Sequence, residues 1–368
     1  MSEWKTVRLG DYITEYSVKN KSNEDIPVYS VTNTQGFCTE YFSKDVSSKD
    51  KSNYKIVPRG CFAYNPSRIN VGSVDWQRYE DRVIVSPLYN VFKVSPELEN
   101  QYLYYFLKSD IGHTLITSKA EGSVRDNLKI TMLAEFSIPL PPLEEQKHIA
   151  AMLDKCTALV TKHKLMLEKY DTLIKSRFIE MFGDNPIENG KWKVEKLGNL
   201  GLCKNGMNFS YEDNGFEINC LGVGDFKDNA VISNCEKLPV ISLNEKPSEE
   251  YLLKDNDIVF VRSNGNKELV GRSVLVHPCV LTTFSGFCIR FRLSTDSINH
   301  LFLLQFLKMP NTRKNMAGRG ANIQNLNQQI LSNLDIPVPQ IELQNSFVSF
   351  VQQIDKSKFE NTTQEIAA

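Results

Sequence analysis

The sequence predicts an α+β protein in which two tandem domains with irregular, β-rich cores are separated by a long helix, and a shorter helix follows the second domain. Three observations predict this architecture. About forty residues between Pro142 and Gly183 contain neither proline nor glycine. The segments on either side of this stretch repeat one another. Short runs rich in β-branched and aromatic residues, broken by Gly, Asn and Pro, fill both segments, as is typical of strands and turns.

The long helix has clear start and stop signals. Pro139, Pro141 and Pro142 exclude helix before Leu143, and Gly183 is of the type that ends a helix. Between them, seam positions recur at alternating steps of four and three, which is the heptad spacing of packed helices: Ile149, Leu153, Cys156, Val160, His163, Leu167, Tyr170, Ile174, Arg177 and Met181. A helix of this length spans roughly 60 Å at about 1.5 Å per residue. Such a stripe is commonly core, and its place in a repeat distinguishes this one.

The repeat is visible in two motifs. The sequence IPLPPLEEQ at Ile138–Gln146 matches IPVPQIELQ at Ile336–Gln344, a spacing of 198 residues. The same spacing aligns Gly122 with Gly320, Asn127 with Asn325 and Leu128 with Leu326. Near the start of each block, WKTVRLGD at Trp4–Asp11 resembles WKVEKLGN at Trp192–Asn199. The spacing is too long for a solenoid, so each block is predicted to be a domain with its own core.

These signals divide the chain into four parts. We predict a first domain at 1–140, a central helix at 141–184, a second domain at 185–339 and a C-terminal helix at 340–368. The C-terminal helix is a shortened copy, because Lys358 and Glu365 stand where the central helix has Val160 and Leu167. The seam from about Ile149 to Val160 is therefore expected to be underpaired. The residues expected to pack the helices together or to dock a partner are Ile149, Leu153, Val160, Leu167, Ile174, Phe347, Val351 and Ile354.

Composition indicates a globular protein, with 41% hydrophobic and 24% charged residues. No run reaches the length of a membrane span and the N-terminus lacks a signal-peptide pattern, so we expect a cytoplasmic protein. Eight cysteines without a C-x-x-C pair are expected to be buried thiols. The net charge is −1, yet residues 254–319 carry ten Lys or Arg against four Asp or Glu. A local basic surface of this kind is typical of phosphate contacts.

A search for catalytic groups finds none. The sequence lacks a G-x-x-x-x-G-K-[ST] loop and a G-x-G-x-x-G turn after a strand. The five histidines are isolated, and no cluster has the spacing of metal ligands, so we expect no metal site. The motif YNPSR at Tyr64–Arg68 lacks the second proline and the aromatic residue of an amino-methyltransferase motif, and it is better explained as a turn after a strand.

Taken together, the duplicated Pro-rich motif, the helix ending in LIKSRFIEMFGD and the opening W-K-x-x-x-L-G resemble the specificity subunit of type I restriction–modification systems over essentially the whole chain. The resemblance implies two target-recognition domains, each for one half of a split, asymmetric double-stranded DNA site. It also implies that the two long helices form an antiparallel coiled coil, which sets the gap between the half-sites and docks two modification (methyltransferase) subunits, to which restriction subunits are added. The chain itself would be non-catalytic, with S-adenosylmethionine, ATP and Mg²⁺ on the partner subunits.

We expect the DNA contacts to come from polar loop residues that are able to reach base edges or phosphates. In the first domain these are Thr32, Asn33, Gln35, Asn65, Ser67, Arg68, Asn70, Ser123 and Arg125. In the second they are Arg262, Ser263, Asn264, Asn266, Lys267, Arg319, Asn322 and Gln324.

Two other functions stay open at this point. One is a recognition module that serves a single-chain methyltransferase–nuclease, and the other is a coiled-coil protein whose domains bind proteins rather than DNA. Self-association through the underpaired part of the central helix is a further alternative to docking of a modification subunit.

Overall fold

The computed structural model describes residues 4–39, 50–120, 127–210, 212–226, 230–317 and 325–367. The chain divides into two compact units, Met1–Lys162 and His163–Ala368. The division falls inside the predicted long helix, which is observed as one continuous helix, α4 (Leu143–Phe182). Each unit therefore contains part of this helix together with its own β-rich region.

The described part of unit 1 contains short strands and three helices that precede α4. The strands are β1 (Lys5–Arg8), β2 (Ile13–Glu15), β3 (Ser30–Thr32), β4 (Gly36–Cys38), β5 (Lys55–Pro58), β6 (Phe62–Tyr64), β7 (Val74–Trp76), β8 (Arg82–Val85), β9 (Asn90–Val94) and β10 (Ser137–Leu140). The helices before α4 are α1 (Asn100–Lys108), α2 (Asp110–Ala120) and α3 (Ile130–Leu133). An antiparallel sheet in the order β2-β9-β6-β7 is accompanied by the pairs β5-β8, β3-β4 and β1-β10.

The main core of unit 1 lies between this sheet and α1. Phe62 of β6 stacks on Phe92 of β9 with ring centroids 5.0 Å apart. Leu103, Phe106 and Leu107 of α1 are buried, and their spacing of three and four residues forms one apolar face of the helix. The sheet is therefore covered by a helix on this side.

Unit 2 repeats the plan with longer strands. It contains β11 (Lys193–Lys196), α5 (Leu197–Leu200), β12 (Gly201–Asn205), β13 (Phe216–Leu221), β14 (Val231–Ile232), β15 (Val240–Leu243), β16 (Asp257–Val261), β17 (Ser273–Val276), β18 (Thr282–Phe284), β19 (Cys288–Leu293), α6 (His300–Lys308), α7 (Pro310–Ala317), α8 (Gln328–Ser332), β20 (Asp335–Val338) and α9 (Ile341–Ala367). Its sheets have the orders β12-β19-β16-β17-β14, β15-β13-β18 and β11-β20.

The central strand of unit 2 is buried on both faces. In β16, Ile258 and Phe260 belong to the core shared with the helices, whereas Val259 and Val261 belong to a second core on the opposite face. Because successive side chains of a strand point to opposite faces, this alternation places one apolar layer on each side of the sheet.

The repeated motifs close each unit in the same way. In unit 1, β1 pairs with β10, and in unit 2, β11 pairs with β20, both antiparallel. A Cβ atom at Gly10 would lie 2.8 Å from the carbonyl oxygen of Ala134, and one at Gly198 would lie 2.9 Å from the Cβ atom of Ser332. This explains the glycine of the repeated Leu-Gly motif, because only glycine allows the segment after β1 to approach Ala134, and the segment after β11 to approach Ser332, this closely.

Helix α4 begins and ends where the sequence predicts. It follows Pro142 and ends at Phe182, after which Gly183 adopts φ +96° and donates its N–H to the Ile179 carbonyl oxygen at 2.8 Å. The second long helix, α9, has 27 residues against 40 in α4, so it is the predicted shorter copy.

Within unit 2 the two long helices run antiparallel. Lys358 Nζ of α9 lies 3.1 Å from Asp171 Oδ1 of α4, and the ring centroids of Phe347 and Phe178 are 5.4 Å apart. A later residue of α9 therefore meets an earlier residue of α4. The predicted fold class, two β-rich domains in an α+β protein with long helices in contact, is confirmed.

The expectation about cysteines is wrong in part. All eight are free thiols, and Cys61, Cys220, Cys235 and Cys288 are buried. Cys156 and Cys279 are exposed, because residues 151–162 of α4 are exposed on every face and Cys279 lies in the turn after β17.

Among the described residues, no helix is both long enough and apolar enough to span a bilayer. In the same part of the chain, no group of three or more His, Cys, Asp or Glu side chains is arranged to hold a metal ion.

Candidate nucleic-acid interface

The predicted polar loops lie at equivalent places in the two units. In unit 1, Tyr64 at the end of β6 pairs with Asn90 at the start of β9. In unit 2, Val261 at the end of β16 pairs with Cys288 at the start of β19. The loop of residues 65–73 and the loop of residues 262–272 follow these strand ends, and we call them the recognition loops. Each recognition loop therefore lies at the corresponding end of its sheet.

Local hydrogen bonds shape the recognition loop of unit 1. The Asn65 side-chain oxygen accepts from the Ser67 N–H at 3.2 Å and from the Ser67 hydroxyl at 2.9 Å, forming an Asx turn. Ser67 and Arg68 are exposed, and Asn70 is half-buried. Near the end of the loop Gly72 adopts φ +89°, a conformation that favours glycine. The loop thus presents short polar groups and one guanidinium on a fixed backbone.

A lysine joins this loop to the turn between β3 and β4, which contains the predicted DNA contacts Thr32, Asn33 and Gln35. The Thr32 hydroxyl accepts from the Gln35 N–H at 3.1 Å in the turn between β3 and β4. Lys108 Nζ, at the end of α1, donates to both the backbone and the side-chain oxygen of Asn33 at 3.1 Å and also to the Gly72 carbonyl oxygen. Two loops far apart in sequence are therefore brought together.

The recognition loop of unit 2 is braced at several points. The Asn264 side-chain oxygen accepts from the Asn266 N–H at 2.8 Å, and Asn266 in turn accepts from the Glu268 N–H at 3.0 Å. Ser263 forms a bridge with Asn325. Arg262 is half-buried and its guanidinium donates to the Gly286 carbonyl oxygen at 3.3 Å. This loop is consequently as well ordered by hydrogen bonds as its counterpart.

Six predicted contacts cannot be placed. Ser123, Arg125, Arg319, Asn322 and Gln324 lie outside the described residues, as does the side chain of Lys267.

A basic groove adjoins the recognition loop of unit 2. It has a volume of about 870 Å³ and is lined by residues 268–273, the end of α6 and α7. Its charged side chains are Arg272, Lys308, Arg313, Lys314, Asp171 and Glu268. The Arg313 guanidinium also donates to the Glu268 carbonyl oxygen at 2.6 Å, which ties α7 to the loop. Four cations against two carboxylates make this groove a suitable surface for phosphates.

Two other cations of residues 254–319, the segment with an excess of Lys and Arg, have a structural role. Arg292 on β19 donates from Nε and from a terminal nitrogen to the two oxygens of buried Asp257, both at 2.7 Å. Arg290 is buried on the same strand, and burial lowers its guanidinium pKa. The positive charge counted in the sequence is therefore divided between the sheet interior and the groove.

Sequence reasoning missed a matched pair of lysines. Lys108 and Lys308 are the last residues of the equivalent helices α1 and α6. Burial lowers the pKa of Lys108, and burial, with Lys358 and Arg272 nearby, lowers the pKa of Lys308 to about 8 although Asp171 and Asp355 oppose the shift. The shared FLK ending of the two helical segments was the available signal.

The lowered pKa predicts how unit 2 responds to pH. An unfolded lysine titrates near 10.5, so between pH 8 and 10.5 the unfolded chain binds more protons than the folded one. The stability of unit 2 is therefore expected to rise with pH across this window. Lys308→Met should remove the rise, whereas Lys193→Met on exposed β11 should retain it. Urea midpoints measured across the window test this, and an equal rise in the two variants would contradict it.

A buried glutamine, also missed, explains the end of the repeated motif. Gln146 Oε1 accepts from the Glu99 N–H at 2.8 Å, and its Nε2 donates to the carbonyl oxygens of Glu97 at 3.0 Å and Pro141 at 2.8 Å. In unit 2, Gln344 makes the same three bonds with Asn299 at 2.7 Å, Ser297 at 3.1 Å and Pro339 at 2.7 Å. Both glutamines are buried and connect a long helix to the start of α1 or α6.

The predicted helix-packing residues divide into three groups. Ile174, Phe347 and Val351 are buried in the core of unit 2, with Ile354 packed against it, and Ile149 packs against the core of unit 1. Leu153, Val160 and Leu167 are exposed. Met152 and Leu159 are exposed as well, so an exposed apolar stripe runs along the middle of α4.

Comparison with known proteins shows which family the chain resembles. The family model for the type I restriction modification DNA specificity domain matches residues 1–169 and 189–368. The chain is 30% identical over 273 residues to the type I restriction enzyme StySPI specificity subunit of Salmonella potsdam, covering 69% of this chain and 58% of that subunit. It is 23% identical to the MjaVIII specificity subunit of Methanocaldococcus jannaschii over 96% of this chain and 86% of the relative.

Solved structures have the same fold. The type I restriction–modification S subunit from M. genitalium superposes with a TM-score of 0.57 at 15% identity, covering 98% of this chain and 91% of that one. A chain from a study of complex assembly and conformational transition of the type I system gives 0.52 at 18% identity, covering 100% and 94%. Because the family model matches both repeats and nearly the whole length, the protein belongs to the family of type I restriction–modification DNA specificity subunits.

Proposed function

We propose that this subunit recognises a bipartite, asymmetric site in double-stranded DNA, with each unit contacting one half-site. The target-recognition domains would be residues 1–140 and 185–339, and the helical parts 141–184 and 340–368 would set the gap between half-sites. The main support is that the two recognition loops occupy equivalent places at the ends of equivalent strands. Because of this placement, each unit would contact its half-site with the same end of its sheet.

The sequences of the recognition loops support an asymmetric site. Residues 65–72 read NPSRINVG, whereas residues 262–271 read RSNGNKELVG. Arginine and asparagine side chains form bidentate hydrogen bonds with guanine and adenine, respectively, in the major groove, and the order of these groups differs between the loops. The basic groove would bind the phosphate backbone beside the second half-site.

Partner subunits supply the chemistry in this proposal. In this family the specificity subunit is non-catalytic, and the cofactors reside on the modification and restriction subunits. We place two modification subunits, and through them the restriction subunits, in a cytoplasmic complex with this chain. Exposed Met152, Leu153, Leu159 and Val160 on α4 offer an apolar surface for the modification subunits.

The direct test is to co-express the chain with its genomically adjacent methyltransferase and to map methylated positions in plasmid DNA by long-read sequencing. A bipartite, asymmetric motif is the expected result. Methylation of one short contiguous or palindromic motif would contradict independent recognition by two units. If the co-expressed complex neither bound nor methylated DNA, a coiled-coil protein that binds other proteins would be favoured.

Single substitutions then assign each half-site. Arg68→Ala is expected to relax or weaken recognition in one half-site only, and Arg262→Ala in the other half-site only. Each lost base contact should cost about 1–3 kcal/mol of discrimination. Binding titrations with duplexes altered in one half-site at a time measure this, and Lys193→Ala, far in sequence from both loops, is the control. An equal loss in both half-sites from either substitution would show that the arginine contacts no particular base.

A further inference from the structure

The turn that leads into β9 in unit 1 and the turn that leads into β19 in unit 2 are built alike. In unit 1 the Ser86 hydroxyl accepts from the Leu88 N–H at 3.5 Å, and the Tyr89 N–H donates to the Ser86 carbonyl oxygen at 3.1 Å. In unit 2 the Ser285 hydroxyl accepts from the Phe287 N–H at 3.3 Å, and the Cys288 N–H donates to the Ser285 carbonyl oxygen at 2.8 Å. We call these two segments, residues 86–89 and 285–288, the tip turns.

Each tip turn exposes a large apolar side chain. Leu88 is 76% exposed and Phe287 is 60% exposed. A single exposed apolar side chain on a surface needs no explanation. Here the same position of the same turn is apolar and exposed in both units, although the turn sequences SPLY and SGFC differ. The recurrence indicates a function shared by the two units.

The tip turn of unit 2 is fixed directly to the recognition loop. The Arg262 N–H donates to the Phe287 carbonyl oxygen at 2.8 Å, and the Arg262 guanidinium donates to the Gly286 carbonyl oxygen at 3.3 Å. Gly286 itself donates to the Met207 carbonyl oxygen at 2.6 Å. The Phe287 backbone is therefore held beside the arginine of the recognition loop.

The tip turn of unit 1 has a corresponding position. It leads into Asn90, which pairs with Tyr64, the residue before the recognition loop. The Tyr89 hydroxyl accepts from the Val31 N–H at 3.3 Å, and Val31 precedes the predicted contact Thr32. Leu88 thus lies at the same end of its sheet as the polar side chains of unit 1.

We propose that Leu88 and Phe287 are equivalent base-contacting residues, each packing on an apolar surface of a base in the half-site bound by its own unit. The inference rests on the proposed function. The shared chemistry is an apolar group of DNA, supplied either by a thymine methyl group in the major groove or by the face of an unstacked base. In either case the polar loop beside the tip turn orients the duplex and the apolar side chain adds discrimination.

The test uses the full chain co-purified with its methyltransferase and duplexes that carry the mapped site. Phe287→Ala is expected to weaken binding of the cognate duplex about ten-fold, with the loss confined to one half-site, and Leu88→Ala should do the same for the other half-site. Phe287→Leu should retain most of the affinity. Leu202→Ala, which removes a 70% exposed leucine of β12, is the matched control and should have no effect.

The salt dependence separates this contact from a phosphate contact. An apolar contact releases no counterions, so the slope of log affinity against log salt should be unchanged in Phe287→Ala, and binding of unrelated DNA should be unchanged too. Deoxyuridine in place of thymine reproduces the loss in wild type if the methyl group is the partner. An increase in 2-aminopurine fluorescence on binding, absent in Phe287→Ala, identifies an unstacked base instead.

Each contrary outcome is distinguishable. If wild type methylates a bipartite site and Phe287→Ala binds that site equally well, the inference is overturned while the proposed function stands. If Phe287→Ala reduces the amount of methyltransferase that co-purifies, with DNA affinity per complex unchanged, the tip turn contacts protein and the inference is again overturned. If wild type methylates no specific site, both the proposed function and the inference fall. An unchanged thermal midpoint in each variant shows that the fold is intact.

Discussion

Replacing Asp257 with asparagine is expected to destabilise unit 2 by about 3–5 kcal/mol, because it breaks a buried ion pair and leaves the cation without its partner. Asp257 lies on β16 and is fully buried. Its carboxylate accepts both bonds from Arg292 and one from the Lys254 N–H at 2.7 Å. In the variant the amide has one acceptor oxygen and no charge, so Arg292 loses its ionic partner and at least one of these two bonds, and keeps its bond to the Leu252 carbonyl oxygen at 3.0 Å.

Hydrogen exchange measured by mass spectrometry tests this prediction separately in each unit. Faster exchange is expected in β16 and β19 of Asp257→Asn, with β6 and β9 unchanged. Glu24→Gln is the control, since the Glu24–Arg82 pair of unit 1 is about half exposed on both sides and should contribute less than about 1 kcal/mol. Equal effects of the two substitutions would mean that water compensates the buried charge.

Substituting leucine for Gln146 or Gln344 is expected to cost at least about 3 kcal/mol in the unit that contains it. Each substitution leaves one N–H and two carbonyl oxygens without their partner, and an unsatisfied buried polar group costs about 1–3 kcal/mol. Gln146→Leu should loosen α1 and the start of α4, and Gln344→Leu should loosen α6 and the start of α9.

The repeat supplies matched controls for this pair. Glu144→Ala and Glu342→Ala change exposed residues in the same helical turns and should have small effects. Urea unfolding with exchange mapping of each unit separates the four variants. A leucine variant that is as stable as its glutamate control would show that the glutamine bonds are replaced by water.

Much of the architecture was predictable because it depends on local signals. The three prolines and Gly183 define α4, and the motif repeat defines two domains with matching ends. NPSR was predicted as a turn after a strand, and in the structure residues 65–73 follow β6 as residues 262–272 follow β16.

Other features depend on residues that are distant in sequence. The motif pointed to Gln146 and contains its partner Pro141, but not its other two partners, which lie 47 and 49 residues earlier. Counting charges could not separate Arg292, which is paired inside the sheet, from Arg313 and Lys314 in the groove. Asn33 and Gly72 are brought together because Lys108, from a third segment of the chain, donates hydrogen bonds to both.

The pairing of β1 with β10, and of β11 with β20, has a consequence for engineering. In each unit the first and last strands are neighbours, so the chain enters and leaves the β-rich region through one two-stranded ribbon. A foreign recognition cassette could be spliced between the two strands of a ribbon without changing either long helix. Domains whose ends lie close together also tolerate circular permutation. Each β-rich region thus begins and ends beside the start of the long helix that follows it.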